Sequence, residues 1–198
     1  MLPKKLSPMS RATTFALLTA FICAVAHADS PRWPVPLVFT SDPGSNVVFA
    51  MNPPLYGPDH MLTRQAFGIA SRLGTDGKYA EIYRTEGWYS FEVFVSRDGR
   101  YLIEMGPWNG GNRPEKTHLA VAFHKDGKLL KSYSTAELIK NPDKVMVSVS
   151  HYMWRAHAPQ LSDDNVFTLH TIDNLTYKFD VTTGIIKSTK KTTKPNGD

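Results

Sequence analysis

The chain has 198 residues, 23 Lys and Arg against 18 Asp and Glu, and a single cysteine. Lys4, Lys5 and Arg11 lie in the first 28 residues, and Lys187, Lys190, Lys191 and Lys194 lie near the end. Between them, residues 29–186 carry 16 basic and 17 acidic side chains, so the body lacks the positive field that nucleic-acid binding requires.

Residues 1–28 read as a signal peptide. A basic start precedes a largely apolar run, Ala12 to Ala26, and Ala26-His27-Ala28 is a small-x-small cleavage signal. The run is shorter than the ~20 residues a spanning helix needs, so no membrane span is expected. The protein is expected outside the cytoplasm, periplasmic or secreted, after cleavage near Ala28. Cys23 would leave with the signal, which excludes a thiol nucleophile, a cysteine-based metal site and disulfides from the remainder.

Asp29 to Leu37 holds Pro31, Pro34 and Pro36 around Trp33 and should run extended over the surface. Short strands are expected at 38–40 and 47–51, then a loop from Asn52 to Gln65. A hairpin should follow about Asp76-Gly77.

The stretch Trp88 to Trp108 is the clearest signal, two period-two runs around Arg97-Asp98-Gly99. A three-residue bulged loop would pair Val95 with Tyr101, Val93 with Ile103 and Phe91 with Met105, placing all six on one face. A two-residue turn would instead oppose Val93 to Glu104 and mix polar with apolar. The bulged register is therefore expected, with Gly99 supplying the positive φ.

The same logic predicts a Lys125-Asp126-Gly127 loop, with Leu119, Val121, Phe123, Leu129 and Tyr133 on one face. Ser134-Thr135-Ala136-Glu137 is a capping box that starts one short helix, ended by Asn141-Pro142. Val145 to Arg155 reads as a single strand. Val166 to Val181 reads as a hairpin with a two-residue Asp173-Asn174 turn, followed by Ile185-Ile186 and a disordered basic tail, 187–198.

The expected fold is all-β: an antiparallel meander of about ten strands with one short helix, in one domain, 29–186. Propeller-like, sandwich and open-barrel arrangements all suit it. Ser96-Arg97-Asp98-Gly99-Arg100-Tyr101-Leu102 resembles the hairpin in blades of TolB-like and WD-type β-propellers, and Asp180-Val181-Thr182-Thr183-Gly184 is similar to their blade-linking turn. That resemblance covers about a third of the chain after residue 28; it implies a binding platform and carries over no catalytic residue.

Candidate chemistry is sparse. Glu92 and Glu104 are cross-strand neighbours in the bulged register, where two carboxylates would push one pKa up. Trp108 and Asn109 sit on a Gly-rich loop suited to stacking on a sugar or peptide. His151, Trp154 and Arg155 offer an aromatic and cationic contact surface. The six histidines after residue 28 show no metal-ligand spacing, although His151, His157 and His170 can meet if the chain bends. No strong catalytic or cofactor motif is present, so the leading expectation is a non-catalytic module for a protein, peptide or glycan. The alternatives are a hydrolase or metal-dependent enzyme built from scattered Glu and His, and a subunit of a larger β-assembly.

Overall fold

The structure, a computed structural model, describes residues 32–42, 44–107 and 110–192. The first 31 residues, Trp108, Asn109 and residues 193–198 lie outside the described residues, so the proposed signal segment and those two site candidates are not placed.

Three four-stranded antiparallel sheets follow one another along the chain. The first contains β1 (Leu37–Thr40), β2 (Val47–Asn52), β5 (Phe67–Leu73) and β6 (Tyr79–Glu86), in that order. A small hairpin, β3 (Leu55–Tyr56) with β4 (Leu62–Arg64), interrupts the loop between β2 and β5. The second sheet is β7 (Val93–Val95), β8 (Tyr101–Met105), β9 (Leu119–Lys125) and β10 (Lys128–Ser134). Helix α1 (Thr135–Leu138), a 3₁₀ turn (Pro142–Lys144) and the hairpin β11 (Met146–Val147) with β12 (Tyr152–Met153) lead onward. The third sheet is β13 (Gln160–Leu161), β14 (Val166–His170), β15 (Leu175–Asp180) and β16 (Ile185–Lys191). Among the described residues all pairings are antiparallel, between sequence neighbours or across the β3–β4 insertion, and no sheet closes into a barrel.

The second sheet is the centre of the packing. Val93, Val95 and Leu102 join Val47, Phe49, Met51 and Ala70 of the first sheet in one apolar cluster. Ile103, Met105, Val121 and Phe123 join Phe167, Leu169, Tyr177 and Phe179 of the third in another. Strands β8 and β9 are therefore buried on both faces, and their sequences lose the polar alternation of a half-wet strand. At Gly106 the chains approach so closely that a Cβ would stand 1.8 Å from the Leu119 carbonyl oxygen.

Two-sided burial overturns the expected register of the central hairpin. Val93 opposes Glu104, Phe94 opposes Ile103 and Val95 opposes Leu102. The connection is a four-residue loop, Arg97 to Arg100, in which Ser96 N donates to Tyr101 O at 3.0 Å and Gly99 N donates to Ser96 O at 2.8 Å. Gly99 does take positive φ, +74°. The mixed pairing is tolerated because each face has its own apolar core and Glu104 has its own buried partner. The expected all-apolar face is divided, with Val93 and Val95 on the first-sheet side and Ile103 and Met105 on the other.

Two other hairpins also differ by one residue. Asp126 and Gly127, at φ +47° and +80°, form a two-residue turn that pairs Lys125 with Lys128. This is the mirror-image turn that suits strand twist. A register shift between Leu129 and Lys131 then turns Leu129 out, 59% exposed. In the third sheet the loop is Ile172-Asp173-Asn174, closed by Thr171 N donating to Leu175 O, with Asn174 at φ +65°. Asp173 is drawn inward because its carboxylate accepts from Lys140 N at 2.7 Å and Asn141 N at 3.0 Å.

The capping box is present in full: Glu137 N donates to Ser134 Oγ, and Glu137 Oε2 accepts from Ser134 N at 2.7 Å. The single strand expected over 145–155 is instead the tight β11–β12 hairpin, turned at Ser148 where its N–H donates to His151 O. Strand β16 runs to Lys191, so the first five residues of the expected basic tail belong to the sheet, Lys190 opposite Thr176 and Lys191 opposite Leu175.

Candidate functional site

Turning the chain at 148–151 brings most of the sequence candidates to one place. Glu92, His151, Trp154, Arg155 and His157 line a cleft of about 330 Å³. Backbone pairing fixes its wall: Ile172 N donates to Trp154 O, Ala156 N donates to His170 O, and Arg155 bridges Thr171. His151 bridges Gly110, which ties the Gly-rich loop to the cleft, and its Nδ1 lies 2.7 Å from Ser148 Oγ. His157 and His170 meet edge to face with ring centroids 5.5 Å apart. His151 has joined the cleft wall rather than this pair.

The cleft is less cationic than its sequence suggested. Arg155 Nη1 donates to Glu92 Oε2 at 2.7 Å, and its guanidinium lies over the Trp154 ring at 5.8 Å. Trp154 is only 8% exposed and belongs to the core between the second and third sheets. The contact surface anticipated from His151, Trp154 and Arg155 is thus a buried tryptophan with a compensated arginine over it. Tyr152 beside it is buried, and burial raises its pKa. Its hydroxyl lies 2.9 Å from His118 Nδ1 and 2.8 Å from Thr135 Oγ1, which pins β12 to the start of α1.

The expected Glu92–Glu104 pair does not form. Glu92 turns to Arg155, whereas Glu104 Oε2 lies 2.9 Å from His124 Nε2, with both side chains buried. Trp88 stacks on His124 at 5.1 Å and 23°, and Phe49 stacks on Trp88. A carboxylate–imidazole pair has the composition of an acid–base couple, but this one lies beneath an indole inside the core. Among the described residues no group of three or more His, Cys, Asp or Glu is placed to hold a metal ion. No helix of the described residues is long and apolar enough to cross a membrane.

A second concavity was not anticipated. Arg32, Trp33, Pro34, Tyr89, Phe91 and Pro107 surround a groove of about 540 Å³. The proline-rich segment reaches it as an extended strap: Tyr89 Oη donates to Val35 O at 2.7 Å, and Val35 N donates back to Tyr89 Oη at 3.2 Å. Arg32 lies over the Phe91 ring at 5.5 Å, and Tyr89 meets Phe91 edge to face. Trp33 is left 86% exposed. Proline spacing signalled the strap, but its landing place was hidden because Phe91 had been assigned to an apolar hairpin face.

Comparison of the chain with known protein families and with curated proteins gives no match.

Proposed function

We propose that this is an exported, non-catalytic binding module that takes an extended, proline-containing peptide segment in the groove between Trp33 and Phe91. The observation that carries the reading is the exposed indole of Trp33 opposite a Tyr–Phe–Pro wall. Aromatic side chains with little hydrogen-bonding capacity suit the apolar ridges of a polyproline-type segment, which binds with little ordering entropy because it is already extended. A sugar ring would call for several planar polar side chains about it, and among the described residues Arg32 is the one charged side chain on the groove. Export is supported by residues 1–28 of the sequence. Three successive four-stranded meanders support the propeller-like resemblance and a platform role.

The test is a fluorescence titration of the purified protein with a soluble peptide of Pro-Pro-Leu repeats, with a chito-oligosaccharide in parallel. Peptide saturation should weaken about tenfold in Trp33→Ala, the effect of losing one aromatic anchor. Absence of peptide binding, or binding indifferent to Trp33→Ala, would overturn the proposal, and saturation by the sugar alone would replace it.

A further inference from the structure

The two outward faces of the three-sheet stack differ in kind. On the third sheet the outward row is Gln160, Thr168, Lys178 and Ser188, with His170, Thr176 and Lys190 beside it. Val166, Asp180 and Ile185 complete that face, so it is mostly polar with an apolar corner at Ile185, which is 59% exposed. On the first sheet, Leu37, Phe39, Val47, Phe49 and Met51 point to the core, so strand alternation sends their neighbours outward. The outward row is Val38, Ala50, Ile69 and Arg84, with Val48 adjacent. Val38 is 67% exposed.

The β3–β4 hairpin, inserted between β2 and β5, adds exposed apolar side chains of its own. Leu55, Tyr56, Met61 and Leu62 on it are all exposed. Two short strands alone are marginal in water, and a contiguous apolar patch on such an arm marks a contact surface. Arg64 joins arm to face: it donates to Pro53 O and lies 4.8 Å over the Phe67 ring, whose other neighbour is Arg84 at 5.3 Å.

We infer that this face and arm bind a second copy of the chain about a twofold axis, first sheet to first sheet. The surface complements itself. Arg64 and Arg84 lie beside Glu81 and Glu86 at its edge, with Asp59 exposed at the tip of the arm, and a twofold axis can pair opposite charges crosswise between copies. The existing Arg84–Glu81 pair is solvent-exposed and worth little, so its exchange across an interface meets no large penalty. Head-to-tail stacking would set the Val38–Ala50–Ile69 row against the Lys178 and Lys190 face, whose apolar side chains are confined to Val166 and Ile185 at one end.

Sedimentation equilibrium of the purified protein tests this, with Val38→Glu, Met61→Asp and Lys178→Glu as variants and far-UV circular dichroism confirming that each is folded. A dimer is expected, its dissociation constant raised about a hundredfold by Val38→Glu and by Met61→Asp, as for an unpaired charge placed in an interface, and unchanged by Lys178→Glu. A monomer at every concentration up to about 100 µM would overturn the inference, as would a dimer indifferent to both apolar-to-acidic variants. An open polymer, or a dimer broken by Lys178→Glu, would assign the head-to-tail contact instead.

Discussion

His124→Ala decides whether the Glu104–His124 pair is structure or chemistry. The wild-type pair is joined at 2.9 Å, with both side chains nearly out of solvent and Trp88 stacked on the imidazole. Removing the imidazole strands a buried carboxylate, which costs about 3–5 kcal/mol, and forfeits a ring stack worth about 0.5–1.5 kcal/mol. Against a total stability of ~5–15 kcal/mol the variant should lose a large fraction of its folding free energy. Replacing both partners by leucine removes the stranded group and should recover most of that loss. Urea unfolding followed by tryptophan fluorescence measures both, and Trp88 should report the change directly. If His124→Ala costs less than about 1 kcal/mol, water reaches the pair and the reasoning that makes it structural fails.

Other residues give sharper local tests. Tyr177 is buried, donates to Leu138 O at 2.6 Å, and has its pKa pushed up to about 12 by burial, with Asp173 adding to the effect. A raised pKa means its contribution is complete below the ordinary tyrosine range and lost as pH rises from about 10 toward 12, so alkaline melts should fall across that window in the wild type. Tyr177→Phe should make this dependence shallower, Tyr83, Tyr133 and Tyr152 being raised by burial as well, while lowering neutral stability by about 1–3 kcal/mol, because the Leu138 carbonyl loses its donor. Ser134→Ala should cost about 1 kcal/mol by removing the cap of α1. The Glu137 carboxyl is held below its ordinary value by the Ser134 N–H and hydroxyl, so its contribution is present above the usual carboxylate range and lost as pH falls through the lowered value. Acid melts of the two proteins should therefore draw closer only by the share owed to the Ser134 hydroxyl–Glu137 bond, since the Ser134 N–H bond is common to both and the cap at Glu137 N does not titrate.

Much of the fold was readable because local chemistry decided it. The Gly-rich turns at Asp76, Asp98 and Asp126, the capping box and the neighbour-to-neighbour connectivity all depend on a few adjacent residues. Register in the central hairpin was not readable, because period-two pattern assumes one wet and one dry face. The middle sheet has two dry faces, so Glu104 beside Leu102 carried no penalty that pattern could detect. The site was partly legible for the same reason. Residues within 151–157 were found together because they are neighbours in sequence, whereas the Glu92–Arg155 contact spans 63 positions and the Tyr89–Val35 contact spans 54.

Turn residues also set register where one face is wet, as in the β14–β15 hairpin, and Asn174 tests that claim. It is the one non-glycine residue with positive φ in the β14–β15 turn, at +65°, and the three-residue loop exists only while that conformation is accessible. Asparagine tolerates the left-handed region far better than a β-branched residue does. Asn174→Gly should therefore leave stability within about 0.5 kcal/mol of wild type, whereas Asn174→Val should lose about 1–2 kcal/mol through backbone strain alone. Thr171 N would still need its bond to Leu175 O, and Asp173 would still be held by Lys140 N and Asn141 N, so the strained variant cannot slip to the two-residue turn without breaking all three. Hydrogen exchange at Thr171 and Lys140 distinguishes the cases: faster exchange at both in Asn174→Val is expected. Wild-type protection there, with Asn174→Val as stable as Asn174→Gly, would mean that the Phe167–Phe179 core sets the register and that the turn merely follows.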